Sequence, residues 1–131
     1  MRQLYIISLI FWAILISASY CKRDESISAC GIEDPIKNVK WLQSIIDYYN
    51  NDTSQTWDTV NIYLYDYNNS NAFALETKKT GVYDIPMSIY NCEGKPIFIC
   101  GGLQPPQLDS CNVFFKSASN KILLWSKINY K

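Results

Sequence analysis

Histidine is absent from the 131 residues. Its absence removes the side chain best suited to proton transfer near neutral pH and the imidazole that most often activates a cysteine nucleophile. Close C-x2-C pairs are missing as well, since Cys30, Cys92, Cys100 and Cys111 are widely spaced, so neither usual ligand pattern of a zinc site is present. No G-x-x-x-x-G-K stretch occurs, and Gly101-Gly102 marks a bulge or a close backbone approach rather than a phosphate cradle. Charge of one sign is not in excess, with twelve Lys plus Arg against twelve Asp plus Glu. A nearly neutral chain lacks the basic stripe that nucleic acid requires, and charge gives it no hold on a membrane surface. Asp58, Asp66, Glu76 and Asp84 fall near expected strand ends, where solvation accounts for them without a glycosidase pair. The expectation is a protein that is not an enzyme and takes no cofactor or metal. No internal repeat, low-complexity tract or second domain is visible.

What is present begins at the N-terminus. Arg2, an apolar run from Leu4 to Ile16, the small residues Ser17, Ala18 and Ser19, and then Tyr20-Cys21 form the pattern of an export signal. The run of about a dozen residues is too short for a helix that must cross a hydrocarbon core with about 20. Small residues before a cysteine are the setting for lipidation, which makes Cys21 the new terminus. Tyr20 is bulky for that pattern, and a cut after Ser19 is the alternative. Five cysteines are an odd number for an exported chain, and lipidating Cys21 leaves an even set of four. Lys22-Arg23-Asp24-Glu25-Ser26 is charged and short of apolar groups, as a flexible tether would be. The expected organisation is a signal peptide over 1–20, a lipid-anchored tether over 21–33 and a single domain over 34–131.

Asp34 as N-cap, Pro35 in the first helical position, and Ile36, Val39, Leu42, Ile45, Ile46 and Tyr49 at three- and four-residue spacing predict an amphipathic helix over about 35–50. Beyond it the period becomes two. Val60, Ile62 and Leu64 alternate with Asn61, Tyr63 and Tyr65, predicting a strand from Asp58 to Tyr67 with an aliphatic face and a tyrosine face. Asn68-Asn69-Ser70-Asn71 supplies a turn into a second strand ending near Lys78. A third strand over 83–91 and a fourth over 95–100 are joined by Asn91-Cys92-Glu93-Gly94, which fits a type I turn with Gly94 left-handed. This register pairs Ile89 with Ile97 and Met87 with Ile99. Lys121 to Ile128 reads as a last strand. The fold class is α+β: one N-terminal amphipathic helix packed on an antiparallel meander of about four to five strands, with the other sheet face partly open.

Four cysteines allow three connectivities. The hairpin register places Cys92 in the turn and Cys100 far down the returning strand, which favours Cys30 with Cys92 and Cys100 with Cys111. Two surfaces are candidates for binding. The row Tyr63, Tyr65 and Tyr67 combines apolar area with hydroxyls. The loop holding Leu103, Pro105 and Pro106 is stiffened by its prolines and loses less entropy on docking.

Cys30-Gly31, Asp34-Pro35, Trp41-Leu42, Tyr90-Asn91-Cys92-Glu93-Gly94, Gly101-Gly102, Cys111, Phe114-Phe115 and Leu124-Trp125, in that order, resemble a family of small bacterial envelope lipoproteins of unknown function. The resemblance implies an envelope location, as an outer-membrane lipoprotein, and a small α+β domain. It supplies no activity to carry over. A helix across an antiparallel sheet is also similar to the cystatins, but no Gln-x-Val-x-Gly stretch is present. The expected function is a binding or structural module held to the membrane by a lipid, with an envelope protein or glycan as partner. The alternative is an inhibitor of a hydrolase that acts through the 102–107 loop.

Overall fold

The computed structural model describes residues 26–54, 56–101 and 108–129. The signal segment, Cys21 and the loop residues Leu103, Pro105 and Pro106 lie outside the described residues. In chain order the elements are β1 (Ser28–Ala29), β2 (Ile32–Glu33), α1 (Pro35–Asn38), α2 (Lys40–Asn51), β3 (Thr59–Tyr67), β4 (Ser70–Lys78), β5 (Met87–Tyr90), β6 (Pro96–Cys100), α3 (Leu108–Ser117) and β7 (Ser119–Ile128).

The segment assigned to a tether, 21–33, is folded from Ser28 onward. Cys30 and Gly31 both have positive φ, 57° and 72°, and turn β1 back on β2 as a two-residue hairpin. Ala29 enters the core at 1% exposure. The Cys30 N–H donates to Asn71 Oδ1 at 2.7 Å, which ties this hairpin to the main sheet.

The expected single helix is two pieces. Val39 is extended, with φ −95° and ψ 104°. Leaving the helix there lets a branched side chain reach the core, where Val39 is 5% exposed. The break leaves few orphan groups. Val39 N–H donates to the Pro35 carbonyl and Gln43 N–H to the Val39 carbonyl, both at 3.0 Å. Asn38 and Gln43 side chains donate to the Glu33 and Lys37 carbonyls. Asp34 is itself left-handed, at φ 48°, and makes no side-chain cap. Its carboxylate takes the Lys37 ammonium at 2.6 Å instead, and that hydrogen bond, followed by the charge, raises the Lys37 pKa. At the far end of α2, Lys127 Nζ donates to the carbonyls of Tyr49, Asp52 and Asn50 at 2.6, 3.4 and 3.5 Å. A cation at the negative end of a helix dipole favours this stop.

The five-stranded sheet has the order β6-β5-β4-β3-β7, with every neighbouring pair antiparallel. It is therefore not a meander throughout, because β7 returns to pair with β3 at the opposite edge from β6. Asn68 and Asn69 have φ of 50° and 57° and make a two-residue turn, so Ser70 and Asn71 belong to β4 rather than to the turn. The third strand is shorter than expected. Asp84 has φ 60° and Pro86 has no N–H to donate, which keeps the residues before Met87 out of the ladder.

Gly94, at φ 76°, closes the β5–β6 turn as expected. Its N–H reaches the Asn91 carbonyl at 3.0 Å, while Asn91 Oδ1 accepts from the Glu93 and Lys95 N–H groups. The register then slips. Tyr90 faces Pro96, but Ile89 faces Phe98 and Met87 faces Cys100. The extra residue, Ile97, forms a bulge beside a proline that offers no donor, and it moves Phe98 rather than Ile97 opposite Ile89. Ile97 and Ile99 are left exposed.

Each face of the sheet has its own core. Val39, Leu42 and Ile46 pack with Ile62, Leu64 and Phe73 on one side. Tyr65, Ala72, Ala74, Ile89, Cys100, Cys111 and Phe114 pack on the other. The second core corrects the expectation of a partly open face, since α3 covers it. Disulfides join Cys30 to Cys92 and Cys100 to Cys111, at sequence separations of 62 and 11.

Two stability outcomes are expected. A Cβ on Gly94 would lie 2.6 Å from Trp41 Cγ, so Gly94→Ala combines a left-handed backbone penalty with a clash. It should cost about 3 kcal/mol in urea unfolding of the oxidised protein, and a loss below about 1 kcal/mol would show that the hairpin does not need this seat. Chain entropy gives about 4 kcal/mol for the Cys30–Cys92 bridge and about 3 for Cys100–Cys111. Paired Cys→Ser variants should therefore lower the urea midpoint in that order, and the reverse order would reject the loop-entropy account.

Candidate functional site

The tyrosine row is not an open surface. Tyr65 is 6% exposed and Tyr63 and Tyr67 are half-buried. Phe114, fully buried on α3, lies 5.4 Å from the Tyr65 ring and 4.9 Å from the Tyr67 ring. Phe98 closes the group at 6.1 Å from Tyr67. Lys121 Nζ sits 3.9 Å from the Tyr63 ring centroid, a cation over an aromatic face. The row becomes core because α3, held to β6 by the Cys100–Cys111 bridge, settles on it.

Between this covered face and the sheet tip lies a polar cleft of about 500 Å³. The β3–β4 turn forms one wall with Asn68 and Asn69, and Ser117 and Ser119 at the α3–β7 junction form the other. Asp66 and Asn71, opposite each other in the β3–β4 ladder, line it too. Asn71 Nδ2 donates to Asp66 Oδ1 at 3.2 Å, and Asn120 Nδ2 donates to Asp66 Oδ2 at 2.6 Å. Both carboxylate oxygens are thereby engaged by neutral amides. Asn71 Oδ1 accepts the Cys30 N–H, and Cys30 is bridged to Cys92. The cleft rim is fixed by a hydrogen-bond chain that ends on a disulfide.

A second cleft of about 470 Å³ lies at the opposite end of the strands. Glu76, Lys78, Lys79, Asp84, Met87 and Gly101 are among its lining residues. Glu76 lies near the end of β4, beside Asn61, whose Nδ2 donates to Glu76 Oε2 at 3.4 Å. Ser126 Oγ in turn donates to Asn61 Oδ1 at 2.7 Å. Lys78 lies 3.5 Å from the Glu76 carboxylate. Asp58 Oδ2 accepts the Thr80 N–H, so this carboxylate serves the loop after β4. Asp66 and Glu76 occupy separate clefts, and Asp84 shares one with Glu76.

At the β5–β6 turn Glu93 and Lys95 pair at 2.7 Å. The hydrogen bond, followed by the charge, lowers the Glu93 pKa and raises that of Lys95. Asp52 is likewise lowered by its hydrogen bonds from Ser54. Solvent screens these exposed groups, and their effect on stability is slight.

The local sequence marks Asn68, Asn69 and Asn71 as turn residues and gives Ser117, Ser119 and Asn120 no binding role. The density of amides at 68–71 was the available signal. Its meeting with 117–120 depends on β7 crossing to β3, which the local pattern does not contain. Among the described residues no three His, Cys, Asp or Glu side chains are grouped to hold a metal ion, and no helix is long and apolar enough to cross a membrane.

No curated protein and no solved structure matches the chain. A family model described as a domain of unknown function, DUF6970, matches residues 49–127. The matched stretch runs from the last residues of α2 through all of β3, β4, β5, β6 and α3 to Lys127 in β7, and so takes in both clefts. It covers more than half of the sequence, and the chain belongs to the DUF6970 family.

Proposed function

We propose that this is an exported protein, anchored to the cell envelope by a lipid on Cys21 and acting as a binding module rather than an enzyme. The observation that carries the reading is the pair of disulfides, one of which spans 62 residues. Structural bridges of this kind persist in oxidising compartments and substitute for core in small domains. All four cysteines among the described residues are bridged, and Cys21 is what remains of the five. The signal-like segment before Cys21 and the likeness to small envelope lipoproteins support the same reading. An envelope protein or glycan is the proposed partner, with no nucleic acid.

A second reading, an inhibitor of a hydrolase, draws on one observation. Cys100 and Cys111 hold the ends of the Pro-Pro loop with Cα atoms 5.5 Å apart. A loop closed at its base presents its tip at lower entropic cost.

Intact mass of protein from the membrane fraction of the native host, before and after reduction and alkylation, tests the main reading. A diacyl or triacyl adduct on Cys21, with four newly alkylated thiols after reduction, is expected. An unmodified chain beginning at Tyr20, or recovery only from the medium, would remove the anchor and bring the inhibitor forward. Pro105→Ala with Pro106→Ala would then be expected to abolish inhibition.

A further inference from the structure

We infer that the polar cleft across the sheet tip binds a neutral oligosaccharide. The inference rests on the reading of the protein as a binding module and names the class of ligand for it.

Chemistry of the lining narrows the ligand. Asn68, Asn69, Asn71, Ser117 and Ser119 offer amides and hydroxyls, which both donate and accept. Sugar hydroxyls do the same, so each can be matched in either direction. Among the described lining residues there is no Lys or Arg, which disfavours a phosphate, a sulfate or nucleic acid. The cleft's one carboxylate, Asp66, accepts from Asn71 and Asn120, and among the described lining residues there is no second carboxylate to help hold a cation. An apolar ligand would bury these polar groups without partners, at a cost of about 1–3 kcal/mol for each. Tyr67 is the single aromatic among the lining residues, and because its ring packs on Phe98 and Phe114 the polar side chains carry the recognition.

Geometry supports the same class. A volume of about 500 Å³ falls within the range of small-molecule sites. The walls are preorganised, because the Asn68-Asn69 turn is fixed by its left-handed pair and by the β3–β4 ladder. Asn71 is held from behind by Cys30. A rim that does not need to be ordered on binding leaves more of the contact energy as affinity. The second cleft is of similar volume but differs in its lining, which holds lysines, carboxylates and apolar groups.

The experiment is an NMR titration of the intact 15N-labelled exported protein, with whatever anchor it carries, using chitotriose and maltotriose as neutral probes. A sulfated oligosaccharide of similar size serves as the charged control. Amide shifts at residues 66–71 and 117–120, saturating below ~10 mM, are expected with at least one neutral probe and not with the sulfated one. Asn69→Ala, which alters an exposed side chain of the turn, should weaken that binding at least fivefold. Glu76→Gln, in the other cleft, should leave it unchanged. Absence of shifts with both neutral probes, shifts confined to the second cleft, or preference for the sulfated control would overturn the inference. Loss of sugar binding by a protein acylated on Cys21 leaves the anchor standing. Sugar binding by an unacylated chain removes the anchor and keeps the glycan.

Discussion

The seating of Trp41 against the β5–β6 turn is the contact on which the rest of the fold depends. Its indole N–H donates to the Cys92 carbonyl at 3.0 Å, its ring lies edge-on to Phe73 at 5.2 Å, and Tyr90 flanks it at 5.7 Å. Gly94 is the only residue type that lets the turn approach so closely at a positive φ. One side chain thus fixes α2 to the second and third strands of the sheet, at the place where the Cys30–Cys92 bridge brings the N-terminal hairpin across. A helix of twelve residues is marginal by itself. Here its buried face, Leu42 and Ile46, is held in register by a hydrogen bond and a covalent link beside it.

Much of the first face was legible because its signals are local and periodic. The spacing of Leu42, Ile45 and Ile46, the alternation at Val60, Ile62 and Leu64, and the turn residues of 91–94 each declare an element without reference to the rest of the chain. The break at Val39 was not legible, since Val39 fits the helical period and its extended backbone shows only where it joins the core with Ala29, Leu42 and Ile62. The slip at Ile97 was hidden for a related reason: Ile97, Phe98 and Ile99 are all apolar, so alternation cannot choose which of them faces inward. α3 has little of its own to announce it. Among its residues only Cys111 and Phe114 are described as buried, and tyrosines on a distant strand hold them. That missing helix is why Tyr63, Tyr65 and Tyr67 were read as a surface and why the tip cleft was not foreseen.

The two faces divide the work of the molecule. Helices cover the central apolar residues of both faces, and the two larger clefts lie at the ends of the strands, one lined mainly by amides and hydroxyls and the other by lysines and carboxylates. Positions at strand ends and turns can vary without disturbing either core. Asp66 illustrates the division. It pairs in the ladder through its backbone, while its carboxylate organises amides from β4 and β7 at the surface.

Placing the last strand beside β3 has a consequence for the order in which the chain can fold. Ile62 pairs with Leu75, only a hairpin away, but also with Trp125, near the end of the sequence. The β3–β6 hairpins can therefore zip early, while the outer flank of β3 waits for the final segment to arrive. Closing so long a loop is slow, and during that wait the unpaired backbone edge of β3 and the uncovered tyrosines remain available to other chains. No N-terminal portion of the chain can therefore complete the sheet ahead of the rest.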